Sequence, residues 1–219
     1  MEFFPKVVFV VYILGKSIPI TETVVVTWGI MAVLIILAYL AGKNVEEIPR
    51  GIQNVVEVMY EGMENLIKVT MGEKRPEFIP YIGTLALFLL VANLIGLIAL
   101  RPPTADLSTT LALALITFVL TQIEGVKKKG FLGYLKGFFE PLPFMAPLNF
   151  IGALTNPFSL AFRLFGNIVG GMVIMGLVYA AVPIFIPVPL HLYFDMFSGI
   201  LQTFIFIMLT LTFITMAAD

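Results

Sequence analysis

Between Glu140 and Asp195 the chain carries no acidic side chain, and Arg163 is its only Lys or Arg from residue 137 to the C-terminus. Apolar runs of about 20 residues with few charges read as transmembrane helices. Composition extends that reading to the whole molecule: 59% of residues are hydrophobic and 12% charged, and mean hydropathy is +1.02. Soluble domains carry about 25% charged residues. The sequence therefore describes a polytopic membrane protein with no soluble domain of useful size. It has no cysteine, hence no disulfide, thiolate metal site or cysteine nucleophile, and its single histidine argues against a zinc site made by the protein alone. A net charge of −1 without a basic cluster among aromatics gives no sign of nucleic-acid binding.

Taken in order, the chain reads as one membrane domain, residues 1–219. Residues 3–14 resemble a short signal core, but no small-residue cleavage site follows, so residues 1–19 read as a retained outer segment at the membrane interface. The first span is residues 20–41. Residues 45–72, with Pro49 in the first turn, keep Ile52, Val55, Met59, Met63 and Leu66 at helical spacing, with Glu57, Glu61, Glu64 and Lys68 elsewhere. That is an amphipathic helix too charged to span, suited to the membrane surface. Residues 78–100, with Asn93 and Gly96, form the second span, and residues 106–123, capped by Asp106 and Ser108, the third. Residues 124–147, with Lys127, Lys128, Lys129, Lys136 and several prolines, read as a cytoplasmic connector. Residues 148–182 and 190–216 are the last two spans, joined by a turn rich in proline. The first of the two would reach about 50 Å as a helix, against a hydrocarbon core of about 30 Å. It is expected to tilt or to break near Thr155, Asn156 and Pro157. The expected fold is all-α: five transmembrane helices and one amphipathic surface helix, with the last two spans forming a long tilted hairpin. No convincing internal repeat is present.

Nine of the thirteen Lys and Arg residues lie in the connectors 43–75 and 127–136, on one side of the membrane if five helices span. Positive charge favours the cytoplasmic side, which places the N-terminus outside and the C-terminus inside.

Arg163 carries the functional argument. A charge at the bilayer centre costs about 2.5–3.5 kcal/mol on insertion scales. On a helix, Asn156, Ser159, Arg163, Gly166, Asn167 and Gly170 recur three or four apart and share a face, while Phe, Leu, Ile and Val dominate the other side. Small residues let another helix approach closely. The expected partner of Arg163 is an acidic group on a different protein. The last span carries a second stripe, His191, Asp195, Ser198 and Gln202. Gln202 and Arg163 lie 16 and 23 residues from a turn near residue 186, at roughly matching depth, which allows Gln202 to hydrogen-bond or position the arginine. Asp195 and His191 suggest a wet outer pocket. Asn149, Thr155, Asn156 and Ser159, with Thr210, Thr212 and Thr215, suggest a second pocket on the cytoplasmic half. Two wet half-pockets separated by an arginine let an ion enter one, ride on a carboxylate of a moving partner, and leave by the other.

The segments SLAFRLFGNIVGG and LQTFIFIMLTLTFITMA, with PTADLSTTLALAL before the third span, resemble the a subunit of F-type ATP synthases. The similarity covers most of the chain from about residue 51. It implies a non-catalytic stator subunit beside a ring of c subunits, with a b-subunit stalk and an indirect link to the catalytic head, in a bacterial inner membrane. Its cargo is Na+ or H+, with no tightly bound cofactor. Arg163 matches the family's essential arginine, Asn167 the asparagine of its RLFGN motif, and Gln202 the glutamine of its last helix. Asp195 falls where relatives carry His, Glu or Asp in the outer half-channel. Many proton-type relatives have a Glu nine residues after the arginine; here that position is Met172, which shifts weight to Asp195 and His191. GGMVIMGL and PLHLYFDMFSG resemble sodium-translocating members, so sodium is the expected ion. A secondary transporter with Arg163 as an anion ligand is the alternative, although such folds usually carry repeats and paired broken helices. A purely structural anchor leaves the cost of Arg163 unexplained.

Overall fold

A computed structural model describes residues 6–13, 16–43, 51–72, 75–98, 100–139, 142–182 and 184–218. Residues 1–5 of the outer segment, the start of the surface helix with Pro49, Glu73 and Lys74, Glu140 and Pro141 of the connector, Pro183, and the C-terminal Asp219 lie outside the described residues.

The described part of the N-terminal segment is a hairpin rather than a helix. Strands β1 (Val7–Ile13) and β2 (Lys16–Thr21) pair antiparallel, with Val10 opposite Pro19 and Tyr12 opposite Ser17. A run of valine, isoleucine and aromatic side chains favours this extended pairing. Glu22 N–H donates to Lys6 C=O at 2.9 Å and joins the hairpin to the helix that follows.

Among the described residues five helical segments are long and apolar enough to cross a membrane, and the molecule is a multi-pass membrane protein. Helix α1 (Glu22–Gly42) is peripheral, with only Thr23 and Ile30 buried. Helix α2 (Ile52–Met71) is the amphipathic one; Gly72, at φ 71°, closes it by donating to Lys68 C=O. Its end is not purely a surface element, because Ile67 and Met71 bury against Phe78, Ile79, Ile207 and Leu211. Helix α3 (Ile79–Leu94), extended by a 3-10 turn through Ile98, lies at the centre of the bundle. Its Asn93 donates to Gly199 C=O at 3.2 Å and to Thr203 Oγ1 at 3.0 Å, and accepts from Thr104 Oγ1 at 2.8 Å.

Helix α4 (Leu107–Gly137) begins at Asp106, whose carboxylate accepts from Ser108 N–H at 3.0 Å, a capping role. It buries Thr110, Ala114, Thr117, Thr121 and Gly125, small residues at helical spacing that let neighbours approach. The expected connector is largely helical: α4 runs on past residue 123, and only Gly130, at φ 70°, interrupts it. There the chain turns back. A straight helix would separate residues 122 and 134 by about 18 Å, yet Tyr134 O–H donates to Gln122 Oε1.

Helix α5 (Ala146–Ala181) holds its helical backbone through Pro157, so of the two alternatives, tilt or break, the break is absent. Pro157 removes one backbone donor, and its ring is buried against the bundle. After the outer turn, α6 (Pro187–His191) passes into a π-helical stretch, Leu192–Phe197, and then α7 (Ser198–Ala218). Helices α3, α4, α5 and α7 share the middle core, which includes Leu85, Leu89, Ala114, Leu164 and Phe206.

Candidate functional site

The rotational position of α5 decides what Arg163 meets. Leu160, Ala161, Leu164, Ile168 and Gly171 are buried against the bundle. Asn156, Ser159, Arg163, Gly166 and Asn167 are exposed. A Cβ added at Gly166 or Gly170 would meet nothing within 4 Å, whereas one at Gly171 would lie 3.6 Å from Phe194. At about 100° per residue the polar stripe centres roughly 120° from the buried arc. It therefore faces away from the body of the chain, with Asn167 at its inner edge. Phe158 and Phe162 are exposed on the other flank of the stripe, so the aromatic side of the helix is not all core.

Among the described residues no group hydrogen-bonds or ion-pairs with Arg163. Gln202 is buried at 2% exposure, and its Oε1 accepts from Asn167 Nδ2. The expected Gln202–Arg163 hydrogen bond is thus replaced by one a single turn along α5. The two helices do match in depth. The arginine lies on the far side of Asn167 from α7, and the guanidinium stays free.

Near the α5–α6 turn, Asp195 Oδ2 bonds His191 Nδ1, and His191 Nε2 bonds Tyr179 O–H at 2.6 Å. Tyr179 and His191 sit on opposite arms of the α5–α6 turn, and the hydrogen-bonded chain carries from an exposed phenol to a half-buried carboxylate. The π-helical stretch widens the turn around Asp195. Such insertions often mark functional positions. This also breaks the four-residue stripe expected from α-helical spacing: His191 and Asp195 form one group, and Gln202 points to α5. Ser198 is half-buried beside them and makes no hydrogen bond among the described residues. Asp195 also lies against α3, since a Cβ at Gly96 would be 3.8 Å from its Oδ1. Tyr179 was not singled out from the sequence. Its signal was there: it lies six residues before residue 185, as His191 lies six after it.

The cytoplasmic-half candidates divide. Asn149 and Asn156 line a pocket of about 470 Å³ between α4, α5 and α7, together with Thr117, Thr121, Gln122 and Lys129. Asn149 Nδ2 donates to Phe138 C=O at 2.9 Å, which ties the reversed end of α4 to α5. Ser159 shares the exposed face of Arg163 instead. Thr212 returns its hydroxyl to Met208 C=O at 2.8 Å, as Thr155 and Thr215 do to Ile151 and Leu211. Thr210 is buried with its hydroxyl unpartnered. None of these four threonines lines the pocket.

Comparison with known proteins follows the same residues. The family described as ATP synthase A chain matches residues 24–215. A protein of Propionigenium modestum named ATP synthase subunit a, sodium ion specific, is 42% identical over 212 residues, covering 90% of this chain and 73% of its own length. ATP synthase subunit a of Moorella thermoacetica is 41% identical over 198 residues, 90% of each chain. The subunit a of Geobacter sulfurreducens is 41% identical over 219 residues, 98% of this chain and 93% of its own. The chain belongs to the ATP synthase A chain family, non-catalytic subunits of the enzyme's ion-translocating membrane sector.

Proposed function

We propose that this chain is the stator subunit that converts ion flow into rotation of a c-subunit ring, with Arg163 separating two half-channels. A single observation carries the reading: an unpartnered arginine faces out of the bundle from a stripe of small and polar residues. A bare cation facing lipid costs several kcal/mol. A carboxylate arriving on a second protein offsets that cost transiently. Asp195, His191 and Ser198 form the outer access path, and the pocket lined by Asn149 and Asn156 the inner one. Asn167 and Gln202 hold α5 and α7 in register beside the arginine. The b-subunit stalk fixes the assembly to the catalytic head, in a bacterial inner membrane with the N-terminus outside and the C-terminus cytoplasmic. An anion-binding arginine of a secondary transporter would line an enclosed central site; the exposed position of Arg163 does not suit that role.

Arg163→Ala is expected to abolish ion-coupled ATP synthesis in reconstituted vesicles while the complex still assembles. Arg163→Lys should fail or nearly fail, because lysine lacks the planar fork. An assembled alanine variant that still couples synthesis to an ion gradient would overturn the assignment. The coupling ion is proposed to be sodium, in line with the resemblance of the α5 and α6 segments and the name of the Propionigenium relative. Sodium at neutral pH should then protect the c-subunit carboxylate from carbodiimide labelling. Labelling indifferent to sodium would mean protons.

A further inference from the structure

We infer that the reversed end of α4 is a binding site for the headgroup of an anionic phospholipid in the lysine-side leaflet. Lys127 is engaged by Glu124 at 2.8 Å. Lys128, Lys129 and Lys136 are exposed and have no ion-pair or hydrogen-bond partner among the described residues. The chain turns at Gly130, so that Lys129 and Gly137, the residue after Lys136, line the same pocket. Phe131, Leu132, Leu135 and Phe139 are exposed on the same short segment. Apolar side chains next to unpaired lysines match the boundary between acyl chains and headgroups.

The pocket beneath favours an anion. Among the described residues, Lys129 is its only charged lining residue and no carboxylate lines it. Gln122, Tyr134, Asn149 and Asn156 supply polar groups, and Phe118, Phe138, Phe213 and Met216 apolar walls for the first part of an acyl chain. Clustered lysines next to a membrane span attract anionic lipid within about a Debye length. A bound headgroup would also neutralise the charge of Lys129, which matters for cation entry only if the pocket is the inner access path of the proposed function. Lipid selectivity is therefore measured without ion flux, so that failure of one reading is not failure of the other.

The test uses the assembled complex in phosphatidylcholine vesicles. The chain has no native cysteine, so Phe139→Cys takes a fluorophore selectively if the partner subunits are also cysteine-free. Brominated phosphatidylglycerol should quench it at a mole fraction on the order of tenfold lower than brominated phosphatidylcholine. The triple variant Lys128→Gln, Lys129→Gln and Lys136→Gln should remove most of that preference, and Lys127→Gln little of it. Raising salt to about 1 M, where the Debye length falls to about 3 Å, should have the effect of the triple variant. Should the triple variant fail to assemble, Lys129→Gln alone and the salt series carry the test. Equal quenching by the two lipids would overturn the proposal. Displacement of the phosphatidylglycerol preference by millimolar inorganic phosphate would also overturn it, by identifying a free-phosphate site.

Discussion

At the scale of single residues, hydrogen-bond geometry separates groups that spacing alone had put together. Asn167 and Arg163 are one turn apart on α5, but only Asn167 reaches Gln202. Helical period locates both on one stripe and matches their depth to α7. It does not give the rotation of that stripe about the helix axis, which depends on which side Leu160, Leu164 and Ile168 bury. Tyr179 escaped the sequence reading for a related reason: a tyrosine near a helix end has an ordinary place at the membrane interface. Its bond to His191 makes it the first member of a hydrogen-bonded chain ending at Asp195. A hydrogen bond is worth about 0.5–1.5 kcal/mol net, and 1.36 kcal/mol is tenfold in rate. Tyr179→Phe is therefore expected to slow ion-driven ATP synthesis by up to about tenfold, with Asp195→Asn slowing it further. An unchanged rate in Tyr179→Phe beside a slow Asp195→Asn would leave the phenol outside the path.

At the scale of elements, the spans were legible because each needs only a sustained apolar run, and α1, α3 and α5 lie close to where hydropathy put them. The end of α4 was not. Three consecutive lysines and several glycines at residues 125–137 read as part of a cytoplasmic connector. Lysine is nevertheless a good helix former, the Glu124–Lys127 pair supports the helix at a spacing of three, and the glycine at residue 125 is retained by packing. A Cβ there would lie 2.6 Å from Tyr134 Cε2 and 3.1 Å from Ala217 C=O. Only Gly130 breaks the helix, because φ 70° favours glycine. The N-terminal hairpin and the π-helical stretch were equally hidden, since neither alters the hydropathy of its segment. Gly130→Ala should cost about 1–3 kcal/mol, because φ 70° with ψ 160° is a backbone region almost confined to glycine. The expected result is a loosened return of residues 131–139 to Gln122 and Asn149, seen as faster tryptic cleavage at Lys136 in inside-out membranes. Cleavage at the wild-type rate would mean that the turn tolerates a side chain.

For the molecule as a whole, the distribution of buried surface says which side needs a partner. Helices α3 and α7 are enclosed, α1 rides at the edge, and α5 is covered on one arc only. Lipid covers an apolar exposed arc well, and Phe158 and Phe162 suit it. It covers Asn156, Ser159 and Arg163 poorly, because polar groups in hydrocarbon lose water without gaining hydrogen bonds. Each elementary charge crossing the membrane gains about 2.3 kcal/mol per 100 mV, too little for one ATP, so several crossings have to be summed by a mechanical partner. In the proposed function a rotor sums them only if ions cannot pass between the half-channels, and the cation of Arg163 would repel them there. The partner must then slide over the open side of α5, where Gly166 and Gly170 leave room for close approach. Cysteines at Asn167 and Gly170, and more strongly at Gly166, are expected to crosslink to a cysteine beside the c-subunit carboxylate. Phe165, half-buried and roughly 200° round the helix from Arg163, and Ile168, buried in the bundle, should crosslink poorly. The reverse pattern would place the stripe against this subunit's own helices in the assembled enzyme, and Arg163 would then need a partner within its own chain.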